Sequence, residues 1–259
     1  MHFCKPMPRI STLLPPLFAA CCFLLLWQVL VVVLALPGYL VPSPLVVGKA
    51  FLASFPALMH AFWRTMVVAI MGLVLSAIAG LAFSLALSLW SFLDRAFYPY
   101  LVIFQAVPII TVAPLVVIWF GSGFIATSII AWISSVVPVI ASTVAGIRAT
   151  PLPLLDLFRL QKASLFRIYW QLRLPFALPS FFTGLRIAGG LAVVGAIVGE
   201  YMIGMGGQAA GLGFVIAESA ARLEVPVLFA ATVLSCLLGA FFFLVIGFLE
   251  KQFLFWHNT

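Results

Sequence analysis

Few side chains in this sequence are equipped for chemistry, and a single carboxylate stands out among them. Glu200 lies near the end of a strongly apolar run, LAVVGAIVGEYMIG. A charge at the centre of a membrane-spanning helix costs at least ~2.5–3.5 kcal/mol, so such a group faces a wet cavity, finds a partner or lies at the interface. Glu200 is therefore a candidate polar element at the outer mouth of a translocation path, and interfacial placement is the equal alternative.

A second candidate set combines polar and proline residues at a spacing of three: Gln105, Pro108, Thr111 and Pro114. Prolines in a spanning helix free backbone carbonyls and bend the helix, which is tolerated where protein or water covers the break. The spacing keeps the four residues loosely on one helical side. We expect them to line or gate a path, with ordinary helix packing as the alternative.

A basic island, Thr150 to Arg186, carries five of the 13 Lys and Arg residues of the chain. Thr150 can cap a helix whose first residue is Pro151, and Ser164 can cap a second short helix. We expect Pro175 and Pro179 to end that second helix. Two short helices that are apolar on one side and basic at the edge predict a compact plug for a groove on a partner. The alternative is an interfacial loop that holds anionic lipid headgroups.

Motifs of enzymes and metal sites are missing from the sequence. The stretch 121–126 formally matches G-x-G-x-x-A, but it follows no soluble strand and has no acidic residue about 20 positions later. Neither a Walker A motif nor H-E-x-x-H nor G-x-S-x-G occurs, and the four cysteines lack metal-ligand spacing. We therefore expect no catalytic residue, no metal and no cofactor, and energy that comes from outside the chain.

The composition places these residues in a membrane. Of 259 residues, 65% are hydrophobic and only 7% are charged, whereas a soluble domain carries about 25% charged residues. The net charge of +7 is spread between apolar stretches, which fits the positive-inside rule better than a nucleic-acid surface. The sequence thus predicts a polytopic membrane protein without a nucleic-acid partner.

Windows of about 20 apolar residues predict an all-α fold with about six transmembrane helices. The predicted spans are 13–36, 65–89, 98–120, 125–146, 180–203 and 226–249. The first is too long for the h-region of a signal peptide and is expected to stay uncleaved. The organisation expected is an N-terminal segment 1–12, a single membrane domain 13–250 with a loop at 147–179, and a tail 251–259.

The bias of the basic residues orients the helices, because Lys and Arg favour the cytoplasmic side. With the N-terminus inside, ten Lys and Arg residues are cytoplasmic and three are outside. Both termini are therefore expected in the cytoplasm. The three outer residues are Lys49, Arg64 and Arg222.

Small residues recur every four positions in two of the predicted spans: Gly72, Ser76, Gly80, Ser84 and Ser88 in the second, and Gly184, Ala188, Ala192 and Ala196 in the fifth. Such stripes let helix backbones approach closely in lipid, where no hydrophobic effect drives helices together. We expect them to pack inside the bundle; a subunit interface or a pathway wall is the alternative.

The basic island resembles the cytoplasmic signature loop of ABC-importer permeases, whose motif is Glu-Ala-Ala…Gly…Ile-x-Leu-Pro. The Leu-Pro end is present as Leu172-Arg173-Leu174-Pro175, followed by FALPSFFTGLRIA, and Ala163-Ser164 fits the nitrate/taurine/sulfonate branch. The front half differs: Leu157-Phe158-Arg159 occupy the Glu-Ala-Ala positions, Lys162 the glycine position, and Asp156 is the nearest acid. VPSPLVV, YPYLVIFQAVPIITVAPLVVIWFGSG, GAIVGEYM and GLGFVI are similar to the same branch.

This resemblance implies a type I ABC-importer permease of the bacterial inner membrane, not an enzyme itself. Its implied partners are ABC ATP-binding subunits, an extracytoplasmic solute-binding protein, a second permease copy in a homodimer, and membrane lipid. The third span is most similar to members associated with pyrimidine precursors or riboflavin; nitrate, sulfonate or taurine is the other possibility. The residues implied to couple to the ATPase are Asp156, Leu157, Phe158, Arg159, Lys162, Ala163, Ser164, Phe166, Arg167, Leu172, Leu174 and Pro175.

Two alternatives belong to other classes. An ion- or proton-coupled carrier that works without an ATPase would use Glu200 as its coupling residue, although inverted repeats are not visible. A membrane enzyme or assembly scaffold has no candidate nucleophile cluster in the sequence.

Overall fold

The structure, a computed structural model, describes residues 9–204 and 211–254, and every regular element in these ranges is helical. The helices are α1 Arg9–Val33, α2 Pro44–Ala53, α3 Phe55–Leu89, α4 Ser91–Ala106, α5 Ile109–Phe120, α6 Phe124–Arg148, α7 Leu152–Leu160, α8 Leu165–Ile168, α9 Leu174–Gly204, α10 Leu212–Ala221 and α11 Val225–Phe253. A π-helical turn, Tyr169–Arg173, joins α8 to α9. The predicted all-α membrane fold is confirmed.

Four stretches in the described ranges are long and apolar enough to cross a membrane: α3, α6, Leu165–Ile203 and α11. The bent pair α4–α5 makes a fifth if its two helices count as one span. The described apolar part of α1, Phe18–Val33, is a shorter helix.

The second span begins earlier than the sequence suggested. The stretch between the first two predicted spans divides at Ser54 into the short helix α2 and the first turns of α3, which starts at Phe55 rather than at residue 65. The break is a single residue with φ −102° and ψ 15°, and the proline that follows is within the first two positions of α3. Proline is tolerated there because the first amides of a helix have no intrahelical partner.

The third span contains the bend that its prolines predict, but the bend is a complete break. α4 and α5 meet at 99°, because Val107 and Pro108 have extended backbone, with ψ of 118° and 120°. The expectation that the four residues spaced three apart share one helical side is therefore wrong: Gln105 lies in the last turn of α4, whereas Thr111 and Pro114 belong to α5.

The fifth span differs from the expectation that Pro175 and Pro179 would end the preceding helix. Residues 165–203 run as one continuous helical stretch that contains both prolines. The π-helical turn makes this possible: the amide of Leu174 donates to the carbonyl of Tyr169, five residues back, and the wider turn takes up the misfit where Pro175 has no N–H to donate.

The centre of the bundle is formed by α3, α6 and α9, which approach closely through small residues. A Cβ atom placed on Gly72 would lie 2.6 Å from the Cβ of Ala131, and one on Gly80 would lie 2.6 Å from a methyl of Val139. Between them, the Ser76 hydroxyl lies 2.7 Å from the Ser135 hydroxyl. The small-residue stripe of α3 thus lies against α6.

The stripe of α9 faces the other side of α6. A Cβ on Gly184 would lie 2.9 Å from the carbonyl oxygen of Pro138, and Ala188 is fully buried. Nearer the end of the bundle that carries α7, Arg186 donates to Glu250 of α11 and lies over the ring of Phe243, 5.0 Å from its centroid. These contacts hold α9 between α6 and α11.

Candidate functional site

Glu200 is buried in the C-terminal part of α9, where it joins three helices. The Thr65 hydroxyl of α3 lies 3.0 Å from Oε1 and 2.8 Å from Oε2 of Glu200, and the amide of Gly213 donates to Oε2 at 3.0 Å. Thr65 in turn accepts a 2.8 Å hydrogen bond from the amide of Leu212. The side chains of Glu200 and Thr65 thus satisfy the first two amides of α10, which no residue of its own helix can do.

The contact between Glu200 and α10 requires glycine at two positions. A Cβ on Gly211 would overlap the Glu200 carboxylate, and a Cβ on Gly213 would overlap the carbonyl of Ile197. The Gly-rich approach to α10 therefore lets the backbone lie directly on the carboxylate. Glu200 retains only 3% of its exposure.

We expect Thr65→Val to free the start of α10. The substitution removes a hydroxyl that bonds to a carboxylate and leaves the Leu212 amide without an acceptor; a bond to a charged group contributes about 1.5–3 kcal/mol. Amide exchange measured by mass spectrometry on peptides covering residues 211–221 should accelerate about tenfold or more. Thr65→Ser, which keeps the hydroxyl, should exchange like the wild-type chain. Equal exchange in all three proteins would contradict the assignment.

Glu200 also lines a cavity, which we call the outer cavity after the orientation that the basic residues predict. It has a volume of about 460 Å³ and lies between the start of α3, the α5–α6 turn and the end of α9. His60, Trp63 and Arg64 line its α3 side, and Ser122 and Gly123 its opposite side. The buried carboxylate thus has protein partners and also lines a cavity.

A second cavity, the bend cavity, lies where α4 breaks away from α5. Its volume is about 650 Å³, and its walls come from α4, α5, α6 and α9. Gln105 lines it together with the hydroxyl-bearing Ser134 and Ser142, beside Pro138. Of the four residues that the spacing put together, only Gln105 reaches this cavity; Pro108, Thr111 and Pro114 are exposed elsewhere, and the Thr111 hydroxyl donates to the carbonyl of Pro108 at 2.7 Å.

The segment 151–173, which we call the coupling loop, presents apolar side chains outward. Most of its large apolar residues are exposed, whereas Leu155 and Ile168 are buried. The exposed ones are Leu152, Leu154, Leu157, Leu160, Leu165, Phe166 and Trp170, and the rings of Phe166 and Trp170 stack with centroids 6.1 Å apart. Exposed apolar patches of this kind, edged by charge, mark interaction sites.

The charged residues of the coupling loop fall into two groups. Arg159, paired with Asp156 at 3.3 Å, and Arg167, which donates to Gln171 at 2.9 Å, are exposed beside the apolar residues. Arg173 instead donates to the hydroxyl of Tyr169. That tyrosine donates to the carbonyl of Ser88 at the end of α3. The loop is therefore tied directly to α3 and, through the π-helical turn, continuous with α9.

The helix starts in the loop are partly as expected. Ser164 caps α8, because its side chain accepts from the amide of Arg167 at 3.4 Å. Thr150 does not cap α7: its hydroxyl donates to the carbonyl of Ile147 at the end of α6, and Pro151 is the N-cap residue, so the helix starts at Leu152. The Thr150 hydroxyl therefore bonds back to a carbonyl in the last turn of α6 instead of forward to the first amides of α7.

Lys162 has a left-handed backbone, with φ of 52°. An L-residue with a side chain pays roughly 1–2 kcal/mol for this conformation, and glycine does not. The turn between α7 and α8 therefore favours glycine at this position, which is where the signature motif has one.

Lys162→Gly is expected to stabilise the coupling loop by about 1 kcal/mol, because it removes the strain of a left-handed lysine. Amide exchange across residues 159–168 should slow severalfold. Lys162→Ala is the matched control: it removes the same charge but keeps a Cβ atom, so it should bring no such protection. If Lys162→Ala slows amide exchange as much as Lys162→Gly does, release of backbone strain does not cause the slower exchange.

Thr65 was not identified from the sequence, nor was the juxtaposition of His60, Trp63 and Arg64 with Glu200. A threonine in an apolar helix has no distinguishing pattern, and its partner is 135 positions away. The feature of the sequence that could have indicated this contact is the glycine pair at 211 and 213, because such glycines allow the backbone to approach another group closely.

Comparison with known proteins agrees with this architecture. The model of the family described as "binding-protein-dependent transport system inner membrane component" matches residues 72–254. A probable ABC transporter permease protein of Haemophilus influenzae is 34% identical, over 93% of this chain and 97% of its own length. The formylaminopyrimidine transport permease protein ThiX of Halalkalibacterium halodurans is 32% identical, over 97% of this chain and 99% of its own length. The riboflavin transport system permease protein RibX of Chloroflexus aurantiacus is 30% identical, over 91% of this chain and 87% of its own length.

Solved structures support the fold. A chain of the MetNI methionine ABC transporter in an inward-facing conformation superposes with a TM-score of 0.65 at 18% identity, over 78% of this chain and 96% of that chain. None of these relatives supports a carrier that acts without an ATPase. The chain belongs to the family of inner membrane components of binding-protein-dependent transport systems, and it is the permease subunit of an ATP-driven importer rather than an enzyme.

Proposed function

We propose that two copies of this permease form the path for a small solute, and that ATP-binding subunits open and close the path through the coupling loop. The observation that carries the proposal is the exposed apolar surface of the loop, with Arg159 and Arg167 beside it. Such a surface fits a partner groove, and the family supplies the ATP-binding subunit and the solute-binding protein as partners.

The connections of the loop suggest how a movement would be transmitted. α8 runs through the π-helical turn into α9 without a break, and Tyr169 bonds to the end of α3. Because α9 packs on α6 and α11, a displaced loop would tilt these helices as rigid rods rather than bend a flexible linker. The bend cavity and the outer cavity border α9 at different depths and are the proposed segments of the path.

The proposal of a homodimer is based on the bend cavity. Helix α5 contributes Ile109 and Val112 to its lining, and Leu115, Ile118 and Trp119 of the same helix are exposed. A second copy related by a two-fold axis would close such a cavity with the same residues, as isologous interfaces do. We propose that both termini are cytoplasmic in this arrangement, because Lys and Arg favour that side of the membrane.

The relatives that match over nearly the full chain suggest the solute. ThiX is named for formylaminopyrimidine and RibX for riboflavin, both at 30% identity or above. The relatives named for sulfonates, bicarbonate and taurine match at 25–27%. We propose a nitrogen heterocycle as the solute, ahead of small inorganic or sulfonated anions.

Co-purification tests the assembly. The chain, produced with its cognate ATP-binding subunit, should elute as a complex with two permease copies and two ATP-binding subunits, measured by native mass spectrometry. A permease that elutes alone, or a complex with a single permease copy, would contradict the proposed assembly.

A further inference from the structure

The Glu200 carboxylate has more acceptor capacity than its protein partners use. An ionised carboxylate offers about four lone-pair sites. The structure supplies one hydroxyl proton, which Thr65 places between both oxygens, and one amide proton, from Gly213 to Oε2. A buried charge with so few donors is costly unless further donors reach it. Glu200 lines the outer cavity, so a molecule in that cavity can supply a further donor.

The walls of the outer cavity add two further features. Trp63 and His60 bring flat aromatic surfaces, and Arg64, also on the wall, attracts the carboxylate electrostatically. A ligand in this cavity would meet the Glu200 carboxylate as an acceptor, the aromatic surfaces, and Arg64 as a cationic donor. A solute that carries both an N–H group and a carbonyl or other acceptor complements these groups.

The volume narrows the class of ligand. About 460 Å³ lies within the range of small-molecule sites, roughly 300–1,000 Å³. A simple inorganic anion would leave most of it empty and would place negative charge against Glu200. An amino-substituted heteroaromatic ring fills more of the space and donates to the carboxylate.

We propose that the outer cavity is a solute-binding site of the permease, and that it selects amino-substituted heteroaromatic solutes through an N–H···O hydrogen bond to Glu200. The site would receive the solute on the outer side before it reaches the bend cavity. This inference rests on the proposed function, and it assigns to Glu200 the role of specificity determinant.

Binding can be measured on the purified permease in lipid nanodiscs without its ATP-binding subunits, so that failure here is distinct from failure to assemble or to transport. The probes are 4-aminopyrimidine and 4-methoxypyrimidine, which have similar size and differ in the donor. Saturation-transfer NMR detects such weak ligands. The aminopyrimidine should receive at least about fivefold more saturation than the methoxypyrimidine, and excess nitrate or taurine should not displace it.

Two variants locate the site independently. Glu200→Ala removes the acceptor and should abolish the preference for the amino compound. Gly123→Leu should block binding while leaving Glu200 intact, because a Cβ at Gly123 meets open space at the cavity wall and its backbone, with φ of 171°, suits any residue. Binding by Gly123→Leu equal to wild type, or equal saturation of the two probes by the wild-type chain, would overturn the proposal.

Discussion

Phe166→Asp is expected to release the ATP-binding subunits from this permease. Phe166 is 75% exposed and stacked on Trp170, so it is an aromatic side chain presented to a partner. Aromatic residues at the centre of interfaces commonly contribute about 2–4 kcal/mol, and a carboxylate in that place would also be buried without a partner. The affinity for the ATP-binding subunit should fall about 30- to 1,000-fold, measured by surface plasmon resonance on nanodisc-embedded permease.

The matched control is Gln161→Asp, which adds the same charge at an exposed polar position of the same loop. It should change the affinity by less than about threefold, because surface charges contribute little. Comparable losses in both variants would mean that added negative charge, rather than the apolar contact, weakens docking. If the Phe166→Asp variant binds with unchanged affinity, the coupling loop is not part of the interface with the ATP-binding subunit.

Gly72→Leu is expected to destabilise the bundle itself. A Cβ on Gly72 would lie 2.6 Å from the Cβ of Ala131 and 2.9 Å from its backbone carbonyl carbon. Because backbone cannot rotate aside, α3 and α6 would have to separate along their central contact, and overpacking of this kind costs about 1–3 kcal/mol or more. Thermal unfolding of the protein in detergent micelles should show a clearly lower midpoint.

Gly239→Leu is the control for this substitution. It lies inside α11, where a Cβ would meet no atom within 4 Å. Leucine favours helix over glycine by up to about 1 kcal/mol, so the unfolding midpoint should stay or rise. If Gly72→Leu unfolds at the wild-type temperature, the close approach of α3 and α6 is not a stabilising contact of the protein in its membrane.

Helix identity and helix packing were largely predictable from the sequence. The predicted spans 125–146 and 226–249 correspond to α6 Phe124–Arg148 and α11 Val225–Phe253, because hydrocarbon thickness fixes the length of an apolar run that crosses it. The small-residue spacing of four marked the face of α3 that lies on α6, because only small residues allow that approach.

Proline effects were harder to predict. Pro108 ends one helix and starts another at 99°, whereas Pro175 and Pro179 lie within a continuous helical stretch. The difference is the π-helical turn before Pro175, which depends on hydrogen bonds five residues apart and on the Tyr169 contact to α3. The sequence around Pro175 does not predict that contact, because Ser88 is 81 positions away from Tyr169.

The partners of Glu200 illustrate a second limit. The sequence identified the carboxylate, because a charge in an apolar run is exceptional. The Thr65 hydroxyl and the Gly213 amide reach it only through tertiary structure, from residues 135 and 13 positions away. Which polar groups pair between distant helices depends on how the helices pack, and the periodicity of a single sequence does not reveal that packing.

The source of energy for transport distinguishes an ATP-driven importer from an ion- or proton-coupled carrier most directly. Permease, ATP-binding subunits and binding protein are reconstituted together in vesicles, and uptake of radiolabelled riboflavin or an aminopyrimidine is measured with and without ATP on the side of the coupling loop. The account predicts uptake that requires ATP and the ATP-binding subunits and that persists when ionophores collapse the ion gradients. Gradient-driven uptake by vesicles that contain the permease alone, unaffected by Phe166→Asp, would contradict it.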